Sequence, residues 1–200
     1  MPWVDPSTGE IKQADIFVAV LGASNYTYVE ASATQSLADW IQAHVNAFTF
    51  FGGVPNTLVP DNLKAGVSQA HYYDPDINPT YQDLANHYGV AVIPARVATP
   101  KDKAKVEVGV QGIERWLLAP LRHHTFFSVT EINAALKPLL QAYNARAFQQ
   151  LPGSRYSQYL ELEKPALKPL PTSVYHYATW KKAKAGIDYH VAIDKHYYSI

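Results

Sequence analysis

The spacing of apolar residues in the first part of the chain predicts extended segments separated by turns. Residues 5–10 are rich in turn-forming side chains, which predicts a tight reversal between two strands. Residues 16–21 are continuously apolar, a pattern that predicts a strand buried on both faces. After a second turn at 22–25, residues 26–31 are expected to return as the partner strand of a hairpin.

Helical spacing replaces the extended pattern after Thr34. Apolar residues then recur every three or four positions until a pair of glycines, which predicts an amphipathic helix with Thr34 as its N-cap. Short apolar runs at 57–60 and 90–95 predict two further strands. A helix that opens at Asn78 and closes at Gly89 is expected between them.

The second half of the chain predicts mainly helices. A long helix begins at 101–103 and another spans about 129–145, each with apolar residues along one face. A shorter helix through Tyr159 ends at the proline-rich segment 165–171, which we interpret as a linker. Residues 187–198 alternate between apolar and polar positions about a central turn, which predicts a hairpin of a new small β domain.

The order of these elements is strand, strand, helix, strand, helix, strand, helix, helix. Strands separated by helices predict an α/β layered fold that contains parallel strands. Ligands in such folds bind at the carboxyl ends of the strands. Chemically active side chains are therefore expected at strand ends.

The composition favours a packed globular protein. Of the 200 residues, 48% are hydrophobic and 12% are aromatic, so a buried core is expected. The chain has no cysteine, which excludes disulfides and thiolate metal sites and suits a reducing cytoplasm. No apolar run reaches the roughly 18 residues of a membrane span, and the first residues do not resemble a leader segment. We therefore expect a cytoplasmic protein that does not act at a membrane.

Basic and acidic residues are segregated between the two halves, although the formal net charge is zero. Residues 1–100 carry three Lys and Arg against nine Asp and Glu, whereas residues 101–200 carry fourteen against eight. The resulting charges of −6 and +6 favour a polyanion-binding second half. A solvated helical surface explains the same segregation equally well.

Two carboxylates occupy positions that suit metal ligands in such a fold. Asp61 follows the strand predicted at 57–60, and Glu107 lies in the first turns of the helix that begins at 101–103. Alone, each has an ordinary explanation, because a strand-end Asp is most often a turn or capping residue and a helical Glu is usually solvated. Together they can hold hard divalent ions such as Mg²⁺. Two such ions activate an attacking oxygen and stabilise a leaving one in phosphoryl transfer.

Several segments resemble the DDE transposases and retroviral integrases. Asp61 and Glu107 look like the second and third acids of that family. More narrowly, essentially the whole chain is similar to IstA-type transposases, the large proteins of insertion sequences that also encode an AAA+ helper ATPase. The segments that carry this similarity are 17–24, 51–55, 59–64, 101–107, 114–115, 151–155 and 188–191.

The resemblance implies an RNase H-like, integrase-type three-layer core over residues 1–125. A helical extension over 126–168 and a linker with the start of a small β-barrel domain over 169–200 would follow. The implied enzyme is a polynucleotidyl transferase that cleaves insertion-sequence ends and joins them to target DNA. Asp61 and Glu107 would be its catalytic residues and would bind two Mg²⁺ or Mn²⁺ ions. DNA, the helper ATPase and further copies of the chain would be its partners.

Four lysines close in sequence to the two acids are candidate DNA contacts under the same resemblance. They are Lys64, Lys101, Lys103 and Lys105. Their ammonium groups could neutralise phosphates, although a charged helix start explains the last three equally well.

The sequence departs from the family pattern at the first acid. The family's first catalytic Asp lies on the strand before the opening turn. Asp5 lies in a turn signature and Asp15 precedes a strand, so neither matches that position. We therefore expect an N-terminally truncated fragment that is inactive in isolation. An RNase H-like nuclease and a non-catalytic DNA-binding remnant of a transposase are the alternatives.

Overall fold

A computed structural model describes residues 1–60, 67–69, 76–93, 109–178, 189–193 and 196–199. Two antiparallel hairpins open the chain. In the first, β1 (Pro2–Val4) pairs with β2 (Ile11–Gln13). In the second, β3 (Asp15–Val20) pairs with β4 (Thr27–Ser32). Both turns that the sequence predicts between these strands are confirmed.

Helix α1 (Leu37–Phe51) follows the second hairpin and packs against it. The helix is confirmed, but its N-cap is Ser36, whose Oγ accepts from the backbone N–H of Asp39 at 3.2 Å. Thr34 lies two residues too early for that role, and its hydroxyl oxygen accepts from the N–H of Ser36 at 3.2 Å. Gly52 ends α1 with a φ of 66°, a left-handed conformation that glycine adopts without strain.

Two strands that pair in parallel come before and after the next helix along the chain. β5 (Thr57–Leu58) pairs in parallel with β8 (Ala91–Val92). Between them lie β6 (Val67–Gln69) and β7 (Asp76–Ile77), which pair antiparallel, and helix α2 (Pro79–Tyr88). A parallel pair connected through a helix confirms the predicted α/β class.

The following part of the chain is helical. Helix α3 covers residues 109–121 and contains a π-helical turn, Glu114–Leu118, with α-helical residues on either side. Helix α4 is Val129–Ala145, as predicted. Helix α5 begins with Arg155–Gln158 and continues through a π-helical and a 3₁₀ turn to Ala166. None of the described helices is both long and apolar enough to cross a bilayer.

A small hairpin lies near the end of the chain. β9 (His190–Ile193) pairs antiparallel with β10 (His196–Ser199). The hairpin confirms the alternation in the sequence, and the β-barrel domain expected around it stays a prediction.

Strand β3 is half-buried along its whole length, so the prediction that both of its faces are fully buried is wrong. Its alternate side chains do pack on two cores. Ile16 and Val18 contact the core formed with α3 and α4, whereas Phe17 contacts the core formed with α1. Within the described ranges, β4 is the only strand that pairs with β3.

Helix α4 covers the edge of the hairpin at β4. The side-chain amide of Asn144 accepts from the N–H of Thr27 at 3.0 Å and donates to the carbonyl oxygen of Thr27 at 2.7 Å. Asn133 makes the same pair of bonds with Ala31, at 2.7 and 2.9 Å. The two amides satisfy backbone groups that a further strand would otherwise bond. α4 also shares a core with β4, and the domain boundary expected at 125–126 stays a prediction.

The proline-rich segment after α5 runs along the core. Val54 and Lys168 exchange two backbone hydrogen bonds of 2.9 Å each. Tyr175 is buried against α2, and its hydroxyl donates to the carboxylate of Asp83 at 2.9 Å. Residues 168–175 are therefore attached to the same body as α1 and α2.

Candidate functional site

The first candidate acid follows the end of the parallel strand pair. The N–H of Ile93 donates to the carbonyl oxygen of Leu58 at 2.9 Å, which extends the pairing to the last residue of β5. Pro60 has no N–H to continue the ladder, and Asp61 comes directly after it. Asp61 and Lys64 themselves lie outside the described residues. The structure thus confirms the strand that was predicted before Asp61, and the role of Asp61 itself stays a prediction.

The second candidate acid precedes α3. The described part of α3 begins at Gly109, two residues after Glu107. Gly109 packs against the carboxyl end of β3, because a Cβ at this position would lie 3.1 Å from Cγ2 of Val20. The absence of a side chain thus allows α3 to start close to the strand. Glu107 and three of the candidate DNA contacts lie outside the described residues. These three are Lys101, Lys103 and Lys105.

Asp5 is held within its own turn and does not point to a metal site. Its Oδ1 accepts from the N–H of Ser7 at 3.0 Å and from the hydroxyl of Ser7 at 2.6 Å. Its Oδ2 lies 2.5 Å from Nζ of Lys12. The bond from Lys12 and then those from Ser7 hold the pKa of Asp5 well below its usual value. Asp5 is therefore a structural turn residue, as its sequence context predicts.

His44 is buried between α1 and its neighbours. Its Nδ1 donates to the carbonyl oxygen of Trp40 at 2.8 Å, and its ring lies edge-on to Phe17 at a centroid distance of 4.9 Å. Burial lowers the pKa of His44 to about 4, so the imidazole is neutral near pH 7. No three His, Asp or Glu side chains gather into a metal-binding group anywhere in the described ranges.

A cluster of arginine and tryptophan side chains lies where α3 meets the end of α4, and the sequence did not predict it. Trp116, on the π-helical turn, is 39% exposed. The guanidinium of Arg146 lies 3.7 Å from a ring centre of Trp116, and that of Arg115 lies 5.6 Å away. We call these three residues the arginine–tryptophan cluster. Its only signal in the sequence is the excess of basic residues in the second half.

A protein-family model matches the first half of the chain. Residues 3–100 match the family described as the integrase core domain. Asp61 lies inside the matched residues, and Glu107 lies beyond them.

Proteins of bacterial insertion sequences are similar over nearly the whole chain. A transposase assigned to insertion sequence IS408 of Burkholderia multivorans is 50% identical over 188 residues, which cover 94% of this chain and 36% of that protein. The transposase of insertion sequence element IS21 from Pseudomonas aeruginosa is 26% identical over 196 residues, which cover 96% of this chain and 49% of that protein. The chain thus spans between about a third and a half of the length of these relatives.

Solved structures with the same fold come from retroviruses. A chain of the simian T-cell lymphotropic virus intasome, solved with PP2A regulatory subunit B56 gamma, superposes with a TM-score of 0.61 at 15% identity, covering 92% of this chain and 58% of that one. The HTLV-2 integrase catalytic core domain in complex with magnesium gives a TM-score of 0.56 at 16% identity, covering 80% of this chain and 90% of that one. These matches confirm the predicted RNase H-like fold of integrase catalytic cores. Residues 3–100 thus match the integrase core domain, and nearly the whole chain is similar to transposases of insertion sequences, that of IS21 among them.

Proposed function

We propose that this chain provides the DNA-cleaving and strand-joining core of an IstA-type transposase. The observation that carries the proposal is the parallel pair of β5 and β8, since Asp61 follows β5 by three residues in sequence and lies within the residues that match the integrase core domain. The reaction is polynucleotidyl transfer, in which water attacks a phosphodiester to cleave the element end. In the joining step the resulting 3′-hydroxyl attacks a phosphodiester of the target DNA.

Asp61 and Glu107 are the catalytic residues and metal ligands in this proposal. Both offer carboxylate oxygens, which are the donors that Mg²⁺ and Mn²⁺ prefer. The viral catalytic core that shares this fold was solved in complex with magnesium, which supports the choice of metal. When bound, two divalent ions activate the attacking oxygen and stabilise the leaving one. The part played by the chain is to hold two carboxylates beside the ends of β5 and β3, where substrate phosphates can approach.

The lysines that neighbour the two acids are proposed to contact DNA. An ammonium group beside a phosphate neutralises its charge and releases condensed counterions. Such contacts position the strand without reading its sequence. The four residues are Lys64, Lys101, Lys103 and Lys105.

We call a longer protein that contains these 200 residues the parent protein. A third carboxylate is expected from a part of the parent protein outside these residues. The family pattern has three acids, and Asp5 is already engaged within its turn. Because a missing ligand weakens the binding of both ions, we expect the 200-residue chain to be inactive by itself. The parent protein would supply the missing strand and would be active.

The proposed partners are DNA, further copies of the chain and an AAA+ helper ATPase. Homology to the IS21 transposase supports the helper, and the shared fold with an intasome chain supports assembly of several copies on DNA. The proposed compartment is the cytoplasm. The proposed division is a core over 1–125, a helical extension over 126–168, and a linker leading to a small β domain over 169–200.

Joining of labelled element ends to target DNA in the presence of Mg²⁺ tests the proposal. The assay compares the parent protein with Asp61→Asn and Glu107→Gln variants, and with Glu161→Gln as a control. Glu161 is an exposed acid on α5 with no role in the proposed site. We expect joining to be lost in the first two variants and kept in the control, while all three remain folded and bind DNA.

Three results would contradict the proposal in different ways. Joining that survives Asp61→Asn or Glu107→Gln would mean that the chosen acids are wrong. Hydrolysis of DNA without any joining would favour the RNase H-like nuclease. DNA binding without either reaction would favour a non-catalytic remnant of a transposase.

A further inference from the structure

The arginine–tryptophan cluster lies on a tightly packed junction of two helices. Gly112, one turn before Trp116 on α3, packs so closely on Tyr143 of α4 that a Cβ would overlap the tyrosine hydroxyl. One turn further along this junction, Arg146 from the end of α4 covers the ring of Trp116. The close helix packing therefore fixes the relative positions of the indole and the guanidinium.

The guanidinium groups of the cluster are free to bind an external anion. Arg115 and Arg146 are exposed, and neither makes an ion pair with a carboxylate in the part of the chain that the structure describes. Stacking on an indole uses the flat face of a guanidinium and leaves its in-plane N–H donors available. The contact also restricts the long side chain, which lowers the entropy cost of binding a ligand.

An arginine near the end of a helix can stabilise that helix instead of binding an external anion, and Arg155 does so. Its Nη1 donates to the carbonyl oxygen of Tyr143 at 3.3 Å, in the last turn of α4, and its guanidinium lies 4.0 Å from the centre of that tyrosine ring. A cation in this position complements the helix dipole. Arg146 differs, because it makes no hydrogen bond to a helix carbonyl within the described residues. Its donors are therefore not needed for the fold.

The chemistry of the cluster fits the sugar–phosphate backbone of DNA. A forked guanidinium binds two oxygens of one phosphate in parallel, and an exposed indole offers a flat surface to a sugar or a base. Arg115 follows Glu107 by eight residues, which is about 12 Å along the helix that the sequence predicts from 101–103. A DNA strand held at the proposed acids would thus pass close to the cluster.

We propose that Arg115, Trp116 and Arg146 form a DNA-backbone contact surface, separate from the lysines around the acids. The inference rests on the proposed function, which supplies DNA as the ligand. Arg146 and Arg115 each bind a phosphate, and Trp116 holds Arg146 in position while its exposed face contacts the strand. Trp116 and the arginines position the DNA and take no part in the chemical steps.

Binding of a fluorescein-labelled DNA duplex to the full chain, followed by anisotropy over a range of salt concentrations, tests the surface. For Arg146→Ala we expect a Kd about tenfold higher, because a charge-assisted hydrogen bond to phosphate is lost, and a salt dependence reduced by about one counterion. Trp116→Leu should also raise the Kd, because Arg146 loses its support. Lys137→Ala, which removes an exposed cation elsewhere on α4, is the matched control and should change the Kd by less than about twofold.

A conservative variant keeps the test valid if the alanine variant unfolds. Arg146→Lys retains the charge, so we expect an unchanged salt dependence and a Kd raised severalfold, since lysine cannot form the bidentate contact. Thermal unfolding of each variant shows that it is folded.

The outcomes separate this surface from the proposed function. If Arg146→Ala and Lys137→Ala weaken DNA binding equally, the proposed contact surface is wrong. The proposed function is unaffected by that result as long as the parent protein joins strands. Unchanged DNA affinity together with an altered oligomeric state would assign the cluster to an interface between copies and would also overturn the proposed contact surface. Loss of joining in the Asp61→Asn parent with DNA binding retained would support the proposed function whichever result the cluster gives.

Discussion

Replacing Asn144 by leucine should test whether α4 acts as a cover for the edge of β4. Asn144 is 3% exposed, and both polar atoms of its side chain bond the backbone of Thr27. Leucine has the same number and branching of side-chain heavy atoms but no polar atom, so the substitution removes both hydrogen bonds without leaving a cavity. The N–H and the carbonyl oxygen of Thr27 are then left in a buried position without partners.

The expected cost follows from the burial of these two groups. An unsatisfied buried donor or acceptor costs about 1–3 kcal/mol, and the added apolar surface of leucine offsets part of the sum. We therefore expect Asn144→Leu to lower the free energy of unfolding by about 2–4 kcal/mol. Asn133 makes equivalent bonds to Ala31 but is only half-buried, so water can replace it. Asn133→Leu should cost about 1–2 kcal/mol.

Urea unfolding followed by tryptophan fluorescence and circular dichroism measures both costs. Gln141→Leu, at an exposed position on the same helix, is the control and should change stability by less than about 0.5 kcal/mol. A loss for Asn144→Leu no larger than that of the control, or smaller than that of Asn133→Leu, would refute the reasoning. Either result would mean that the backbone of Thr27 is not buried against α4 in solution.

Two further perturbations probe other parts of the core. Burial lowers the pKa of His44 from 6.5 to about 4, so the fold favours the neutral ring. The stabilisation that comes from the neutral ring should be fully present above about pH 6.5. The free energy of unfolding should then decline by about 3 kcal/mol in total as the pH falls toward 4. Urea unfolding at several pH values should show a shallower decline for His44→Gln. Gly112→Ala should lower the melting temperature, because its Cβ would overlap the hydroxyl of Tyr143 and overpacking costs about 1–3 kcal/mol. Gly22→Ala, where a Cβ meets no atom within 4 Å, should melt like the wild type.

The sequence predicted elements best where their ends carry local capping signals. Asn78 and Gly89 mark both ends of α2 as expected, because the side chain of the first accepts from the N–H of Thr80 and the second adopts a left-handed φ of 61°. The sequence pattern predicts the N-cap of α1 two residues early, because Thr34 and Ser36 both carry hydroxyls and only the second reaches the N–H of Asp39. Local patterns thus fix the kind of element well and its first residue less well.

Features that depend on distant parts of the chain were not predictable in the same way. Asn144 bonds Thr27 across 117 residues, and no local pattern distinguishes it from a solvated asparagine on a helix. The incomplete burial of β3 has the same origin, because it depends on what packs on the two faces of the strand and not on the composition of the strand.

The same contrast between local patterns and distant contacts holds for the candidate site. Asp61 rests on a local pattern, a short apolar run followed by an acid at a strand end, where ligands bind in folds of this class, and it stays a prediction. The arginine–tryptophan cluster could not be predicted in this way, because Arg146 lies thirty residues beyond Trp116 in sequence. The π-helical turn at Glu114–Leu118 also inserts an extra residue into α3, which rotates the side chains after it relative to an α-helical pattern. An α-helical pattern nevertheless predicts the buried face of α3 correctly, because Ile113, Leu117 and Leu121 are buried and Trp116 is exposed. What the pattern does not give is the partner of Trp116, which follows only once the packing of α3 against the end of α4 is known. The acids mark where chemistry is expected from sequence alone, whereas the cluster depends on a contact between α3 and the end of α4 that no single segment encodes.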